Sequence, residues 1–210
     1  MKLFSLHVLL SLRSMRMLAP AAAVAVWIAF IMAYPGTAVA AGAALFIGYL
    51  VFGCWITIVV GNIDDDPHRY VLTAVAGSRA RLHVLRALVA LSYCAVLAAL
   101  TSVLIVVDVP PRTQQLQTLG ALFALGFSGG AMGVSIGTLL HRPVVFNLAL
   151  TTLGAVLALV GVIALPPAQH LLYRFGKNEL VTVWPLLGAS VLLACSAIAA
   201  GASIAQMRSR

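Results

Sequence analysis

Long runs of apolar residues alternate with short polar junctions along most of this chain. Six of the runs carry no charged side chain and reach about 18 residues or more. That length lets a helix cross roughly 30 Å of hydrocarbon at 1.5 Å per residue. No run shows the alternation of barrel strands, and in lipid the backbone groups must bond to one another, so the pattern predicts helices. The predicted spans are residues 17–34, 38–60, 88–107, 119–140, 144–165 and 181–205.

The segments around these spans complete a single transmembrane domain over residues 1–210. Residues 1–16 are predicted to form a helix at the membrane interface, because Lys2, Arg13 and Arg16 fall within roughly 60° of one another at about 100° per residue. A frayed basic tail is the alternative. Residues 17–205 form the predicted six-span bundle and 206–210 a tail. The start resembles a secretory signal, but a second span follows almost at once, so an uncleaved first helix is expected.

Composition agrees with this all-α membrane class. The chain is 62% hydrophobic and 9% charged, which is too apolar for a soluble domain of this size. Basic residues collect on one side, which predicts a multi-pass protein of the cell (plasma or inner) membrane with both termini cytoplasmic. On that side lie Lys2, Arg13, Arg16, Arg69, Arg79, Arg81, Arg86, Arg142, Arg208 and Arg210, against Arg112, Arg174 and Lys177 outside.

The net charge of +8 does not indicate a nucleic-acid partner. The basic residues are spread over several membrane-flanking sites and are not gathered with aromatic side chains on one domain. Membrane lipid headgroups are the partner that this distribution predicts.

One polar loop, residues 61–86, separates the second and third spans. It holds Asp64, Asp65, Asp66, Arg69, Arg79, Arg81 and Arg86. Three adjacent carboxylates attract a cation, but the neighbouring arginines are the better partners, so a charge-paired cytoplasmic loop is expected. Because this loop carries most of the charge that the chain exposes on one side of a bilayer, we expect the chain to meet its partner here.

Several absences restrict the chemistry. No span carries a carboxylate at its middle, which disfavours a carrier driven by protons or sodium. No phosphate loop occurs, so any pumping requires ATP bound by a second polypeptide. The histidines lack metal-ligand spacing, so no metal site is expected. Cys54, Cys94 and Cys195 lie in apolar runs and are predicted to be buried free thiols.

Two spans have distinctive patterns. In the second, Phe46, Tyr49, Phe52 and Trp55 recur every three residues, which suits packing or lipid contact, or else the lining of a path for an apolar or amphipathic substrate. In the fourth, Gly129, Gly133 and Gly137 recur every four residues with Gly126 and Gly130 nearby. Such glycines let a neighbouring helix approach closely. Packing within the bundle is the expected use, with a subunit contact second.

The run from Gly126 to Gly129, G-x-S-G, resembles the nucleophile segment of rhomboid intramembrane proteases. In that family the serine lies in the fourth span, as Ser128 does here, and a histidine base lies in the sixth. A serine nucleophile needs that base within hydrogen-bond reach. The sixth span has no histidine, so Ser128 is expected to be a small packing residue and no catalytic residue is assigned.

The segment from Asp66 to Arg86, with the layout of the spans, resembles the type-2 permeases of ABC exporters. In that family an interfacial helix precedes six spans, and a short cytoplasmic coupling helix between spans two and three sits in a groove of the ATPase. The resemblance implies a coupling helix over residues 69–76, a turn over 77–81 and Arg86 as the entry to the third span. Gly77 stands where the family often has proline, and three aspartates stand in place of a glutamate.

The resemblance also implies partners and site residues. It implies a second permease copy or homologue and two ABC ATPase subunits that hold ATP and Mg²⁺, with no cofactor on this chain. Transport would be by alternating access at the permease interface. The absence of charge within the spans favours a hydrophobic, amphipathic or lipid-like cargo. The implied coupling residues are Arg69, Tyr70, Leu72, Thr73, Arg79 and Arg81, and the implied path residues are Tyr49, Phe52, Trp55, Asn147 and Thr151. A non-transporting scaffold or immunity protein whose loop docks a soluble partner is the alternative.

Overall fold

The structure, a computed structural model, describes residues 2–13, 17–33, 38–62, 66–108, 115–140 and 183–207. The described residues are helical and contain no strand. Four helices are long and apolar enough to cross a membrane, and a fifth crossing is counted if α1 and α2 are taken together as one span. The helices are α1 (Lys2–Arg13), α2 (Leu18–Ala33), α3 (Ala38–Gly61), α4 (Asp66–Ala76), α5 (Arg79–Asp108), α6 (Gln115–Leu140) and α7 (Val183–Met207).

These bounds match the predicted spans over residues 38–60, 119–140 and 181–205. The predicted first span, 17–34, is helical as α2, but α2 is not long enough to be counted as a crossing by itself. One predicted span is corrected. The third span was expected over residues 88–107, but α5 begins at Arg79 and is 30 residues long. At 1.5 Å per residue this is about 45 Å, which is longer than the roughly 30 Å of hydrocarbon that a spanning helix must cross. The predicted fifth span, 144–165, lies outside the described residues, and so does the segment that follows it up to residue 182.

The centre of the bundle is the contact between α3 and α6, which is the most extensive helix pair. Its cause is the glycine series of α6. A methyl group on Gly129 would overlap the carbonyl oxygen of Phe46, and one on Gly133 that of Leu50. One on Gly137 would lie 2.7 Å from Cβ of Thr57. The two backbones therefore touch, and the prediction that these glycines pack within the bundle is confirmed.

The same contacts give the direction of each helix. Residues 46, 50 and 57 of α3 meet 129, 133 and 137 of α6 in rising order, so these two helices are parallel. Gly126 and Gly130 of α6 meet Ala98 and Cys94 of α5 in falling order, so α5 is antiparallel to them. Near the start of α7, Val183 and Leu186 pack with Ala121 and Leu125 at the start of α6, so α7 is parallel to α6.

The remaining helices pack around this centre. α2 lies against α3, where Trp27 donates from its indole nitrogen to the carbonyl oxygen of Ala44 at 3.2 Å. α1 and α4 both pack against α5. Several hydroxyl groups inside the bundle donate to carbonyl oxygens of their own helix, as Thr57 does to Gly53 and Ser135 does to Ala131, which satisfies them without water.

Candidate functional site

α4 is the short helix that the polar loop forms between α3 and α5. It begins at Asp66, three residues before the predicted start at Arg69. Pro67 explains the difference, since proline suits the first helical turn, where its missing N–H has no partner to lose. Arg69 and Tyr70, two of the predicted coupling residues, therefore lie on this helix.

One side of α4 packs against the first two turns of α5. Leu72 and Ala76 are buried there with Leu82, and Leu85 packs against the same cluster. The burial of Leu72 means that this predicted coupling residue anchors α4 to its own chain. Thr73, one residue further, is partly exposed.

The other side of α4 presents two valines to the surroundings. Val71 and Val75, one turn apart, are 63% and 64% exposed. They form an apolar ridge on a helix whose neighbouring segments are polar and charged. The sequence-based assignment of coupling residues rested on the arginines and did not include these valines. Two valines four residues apart in a polar loop were the signal that could have identified the ridge.

A tight turn holds α4 at its angle to α5. Gly77 has a φ of 77°, in the left-handed region that favours glycine. The side-chain oxygen of Ser78 then accepts from the backbone N–H of Arg81 at 3.1 Å, which caps the start of α5. The turn is therefore Gly77–Ser78 alone, and the expectation of a turn through residue 81 was wrong. Arg79 and Arg81 stand exposed on the first turn of α5.

Arg86, the predicted entry residue, is buried together with His83. Both lie on α5 near the end of α7, where Gly201 leaves room for the His83 ring. The sequence placed Arg86 at a membrane boundary and gave no sign that it would be buried.

The predicted path residues divide by position. Tyr49 is buried between α3 and α5, and its hydroxyl lies 2.6 Å from that of Thr101. Phe52 is buried beside Trp27. Trp55 is 39% exposed on the outer side of α3. Tyr49 and Phe52 thus have packing roles, and path lining stays a prediction for all of them. Asn147 and Thr151 lie outside the described residues.

Ser128 lies fully buried on α6. Its hydroxyl has no hydrogen-bond partner in the part of the chain that the structure describes, so no histidine there activates it. Within the same residues no cluster of metal-binding side chains occurs. Cys54 and Cys94 are buried free thiols as predicted, but Cys195 is exposed because it lies on the outer side of α7.

The comparisons with known proteins leave this geometry as the main guide to function. No protein-family model, no curated protein and no solved structure matches the chain.

Proposed function

We propose that this chain is the membrane-spanning subunit of an ATP-driven exporter of the ABC class, with α4 as the element that an ATPase subunit grips. The ATP and Mg²⁺ are held by that partner. The cargo is hydrophobic or amphipathic, since the spans carry no carboxylate that would bind an ion or a cationic substrate.

The observation that carries this proposal is the shape of α4. A helix of 11 residues, held outside the bundle by a tight turn, fixes one face to α5 and leaves Val71 and Val75 exposed on another. A rigid helix with an exposed apolar ridge suits insertion into a groove of a soluble partner, where its burial stabilises the complex. Because α4 continues almost directly into α5, a movement of that partner would reach the bundle through α5.

The charges beside the ridge indicate the chemistry of the groove. Arg79 and Arg81 are exposed on the turn of helix that follows α4. A partner with an apolar groove and an acidic rim would complement this surface, and the charges would speed and orient docking.

The directions of α6 and α7 support the six-span architecture that the proposal needs. α6 ends at Leu140 at the end of the bundle where α5 begins, whereas α7 begins at Val183 at the opposite end. In this proposal α6 and α7 cross the membrane in the same direction, so the chain between them crosses it an odd number of times. One crossing needs about 20 residues and three need about 60, so the length between Leu140 and Val183 admits a single crossing. Its predicted position is residues 144–165.

The transport path in this proposal lies between two permeases, identical or homologous. Trp55 and Val51 support this placement, because both are exposed on the same side of α3. In this proposal a second permease packs against that side of α3 and encloses the path.

The direct experiment replaces the ridge and keeps the fold. Val71→Asp and Val75→Asp are expected to abolish co-purification of an ATPase subunit from native membranes and the ATP hydrolysis of the complex. The matched control is Met207→Asp, since Met207 is 68% exposed at the same end of the bundle but on α7. It should leave both measurements unchanged.

The arginines test the charged part of the surface. Arg79→Glu is expected to weaken the complex, and to do so more at low salt than at high salt, because exposed charges are screened. Ridge variants that still bind and stimulate an ATPase would refute the proposal. Capture through α4 of a partner without a phosphate loop, identified by mass spectrometry, would favour the scaffold alternative.

A further inference from the structure

α1 is oriented in a way that its composition does not explain for a helix in water. Its inner side, which packs on the bundle, includes the polar residues His7 and Ser11, both buried. Its outer side carries a leucine face, defined here as Leu6, Leu9, Leu10 and Leu12, of which Leu12 is 65% exposed. Phe4 and Val8 also pack on the bundle, and Ser5 and Arg13 are exposed on the outer side, so both sides mix polar and apolar residues. Four exposed leucines on one side are nevertheless more than a surface helix in water is expected to carry.

A set of hydroxyl contacts holds α1 in this orientation. The hydroxyl oxygens of Ser11 and of Tyr93 on α5 lie 2.5 Å apart. Both also lie near the carbonyl oxygen of Val8, Ser11 at 2.8 Å and Tyr93 at 3.3 Å. These three oxygens form a triangle between α1 and α5, and rolling α1 about its axis would break it.

The position of Tyr93 along α5 says what surrounds the leucine face. Tyr93 lies five residues beyond Leu88, where the apolar run of this span begins, or about 8 Å into it at 1.5 Å per residue. On the outer side of α5, Leu88 and Val96 are exposed. The leucine face therefore continues an apolar surface that lipid acyl chains cover.

We propose that Ser11 and Tyr93 form a hydroxyl lock that sets the roll of α1 and turns its leucine face into the acyl chains of the cytoplasmic leaflet. The occupant of that face is lipid, with the exposed Arg13 at the end of the helix near the headgroups. A hydrogen bond that is sheltered from water is directional, so it fixes the rotation of α1 about its own axis, which apolar contacts alone do not fix. This orientation of α1 does not depend on an ATPase partner.

The test uses the full chain in lipid nanodiscs with Cys195→Ser as background, since Cys54 and Cys94 are buried. A nitroxide label at Leu12→Cys reports collisions with oxygen, which concentrates in lipid, and with a water-soluble nickel complex. Val96→Cys on α5 is the lipid reference and Val75→Cys on α4 the water reference. The label at position 12 is expected to match the lipid reference. A match to the water reference would overturn the lipid assignment and indicate a protein-binding face.

The lock is tested by hydrogen exchange of the amides of residues 2–13. Ser11→Ala and Tyr93→Phe should each speed this exchange about two- to tenfold, the range that one lost hydrogen bond predicts. Ser92→Ala is the matched control, because the Ser92 hydroxyl bonds to Val89 within α5. It should leave the exchange unchanged. Wild-type exchange in both lock variants, or equal acceleration in the control, would overturn the lock.

Discussion

Two helix contacts of this molecule are built in opposite ways. Between α3 and α6, backbone lies directly on backbone at Gly129 and Gly133, and at Gly137 the contact is with Cβ of Thr57 and the carbonyl oxygen of Cys54. Between α4 and α5, the apolar contact that the structure describes is one small cluster, formed by Leu72, Ala76, Leu82 and Leu85. The first contact admits no added atom, whereas the second is small enough to loosen without opening the bundle. The rigid part and the part suited to meeting a partner are thus separate.

The largest expected effect comes from filling the glycine contact. Gly133→Leu should prevent folding, since even its first carbon would overlap the Leu50 carbonyl oxygen and lie 2.7 Å from the Cys54 nitrogen. We expect a loss of at least ~3 kcal/mol, seen as a missing monodisperse peak in size-exclusion chromatography of a fluorescent fusion. Gly188→Ala is the control, because nothing lies within 4 Å of its added methyl group. Its thermal stability should stay equal or rise. A well-folded Gly133→Leu protein would contradict the backbone contact.

The next effect is local to α4. Leu72→Ala removes a buried side chain from the small cluster on α5, and we expect a local cost of ~2–4 kcal/mol. Hydrogen exchange should accelerate in residues 66–76 while the thermal midpoint of the bundle changes little. Leu100→Ala, at an exposed site on α5, should change neither measurement. If Leu72→Ala instead lowers the thermal midpoint as much as a substitution in the α3–α6 contact does, then α4 unfolds together with the bundle. The contrast between the α3–α6 and α4–α5 contacts would then be wrong.

The turn gives a smaller effect with a different cause. Gly77→Ala has room for its methyl group, since the nearest atom is 3.8 Å away on Arg81, but the φ of 77° disfavours any Cβ. The expected cost is ~1 kcal/mol, measured as faster proteolysis of the loop. Gly77→Asn should cost less, because asparagine tolerates the left-handed region. Equal behaviour of the two variants would argue against a left-handed turn.

The smallest effect concerns a polar contact inside the bundle. Tyr49→Phe deletes one hydroxyl of the pair with Thr101, and Thr101 keeps its own bond to the Leu97 carbonyl oxygen at 2.8 Å. Interhelical hydrogen bonds in membranes average about 0.6 kcal/mol, so a similar loss is expected in reversible unfolding. A double-mutant cycle with Thr101→Val isolates the pair. A loss of several kcal/mol would show that polar contacts, and not glycines, dominate the core.

Prediction from the sequence succeeded where the signal was local. Long apolar runs marked α3, α6 and α7 to within a few residues, because each run must satisfy its own backbone in lipid. It failed at the start of α5, where Arg79 and Arg81 suggested a loop. The structure begins α5 at these arginines, with Ser78 as its cap and a helix that is longer than one crossing needs.

The site residues were harder to predict than the helices. Arg69, Tyr70, Leu72 and Thr73 do lie on one short helix. The exposed ridge of Val71 and Val75 was missed, since exposure depends on which side of α4 meets α5. Cys195 shows the same limit, because an apolar run does not say which of its faces is covered.

By itself the sequence determined that this chain is helical, that it is suited to a bilayer, and that one loop carries the concentrated charge. Each of these follows from local composition and from the need to satisfy backbone groups within a segment. Only the tertiary structure decided that α3, α6 and α7 run parallel, that α1 turns its leucines outward and that Arg86 is buried. Those outcomes depend on how helices far apart in sequence fit together, and that fit is set by the shapes of their packed surfaces.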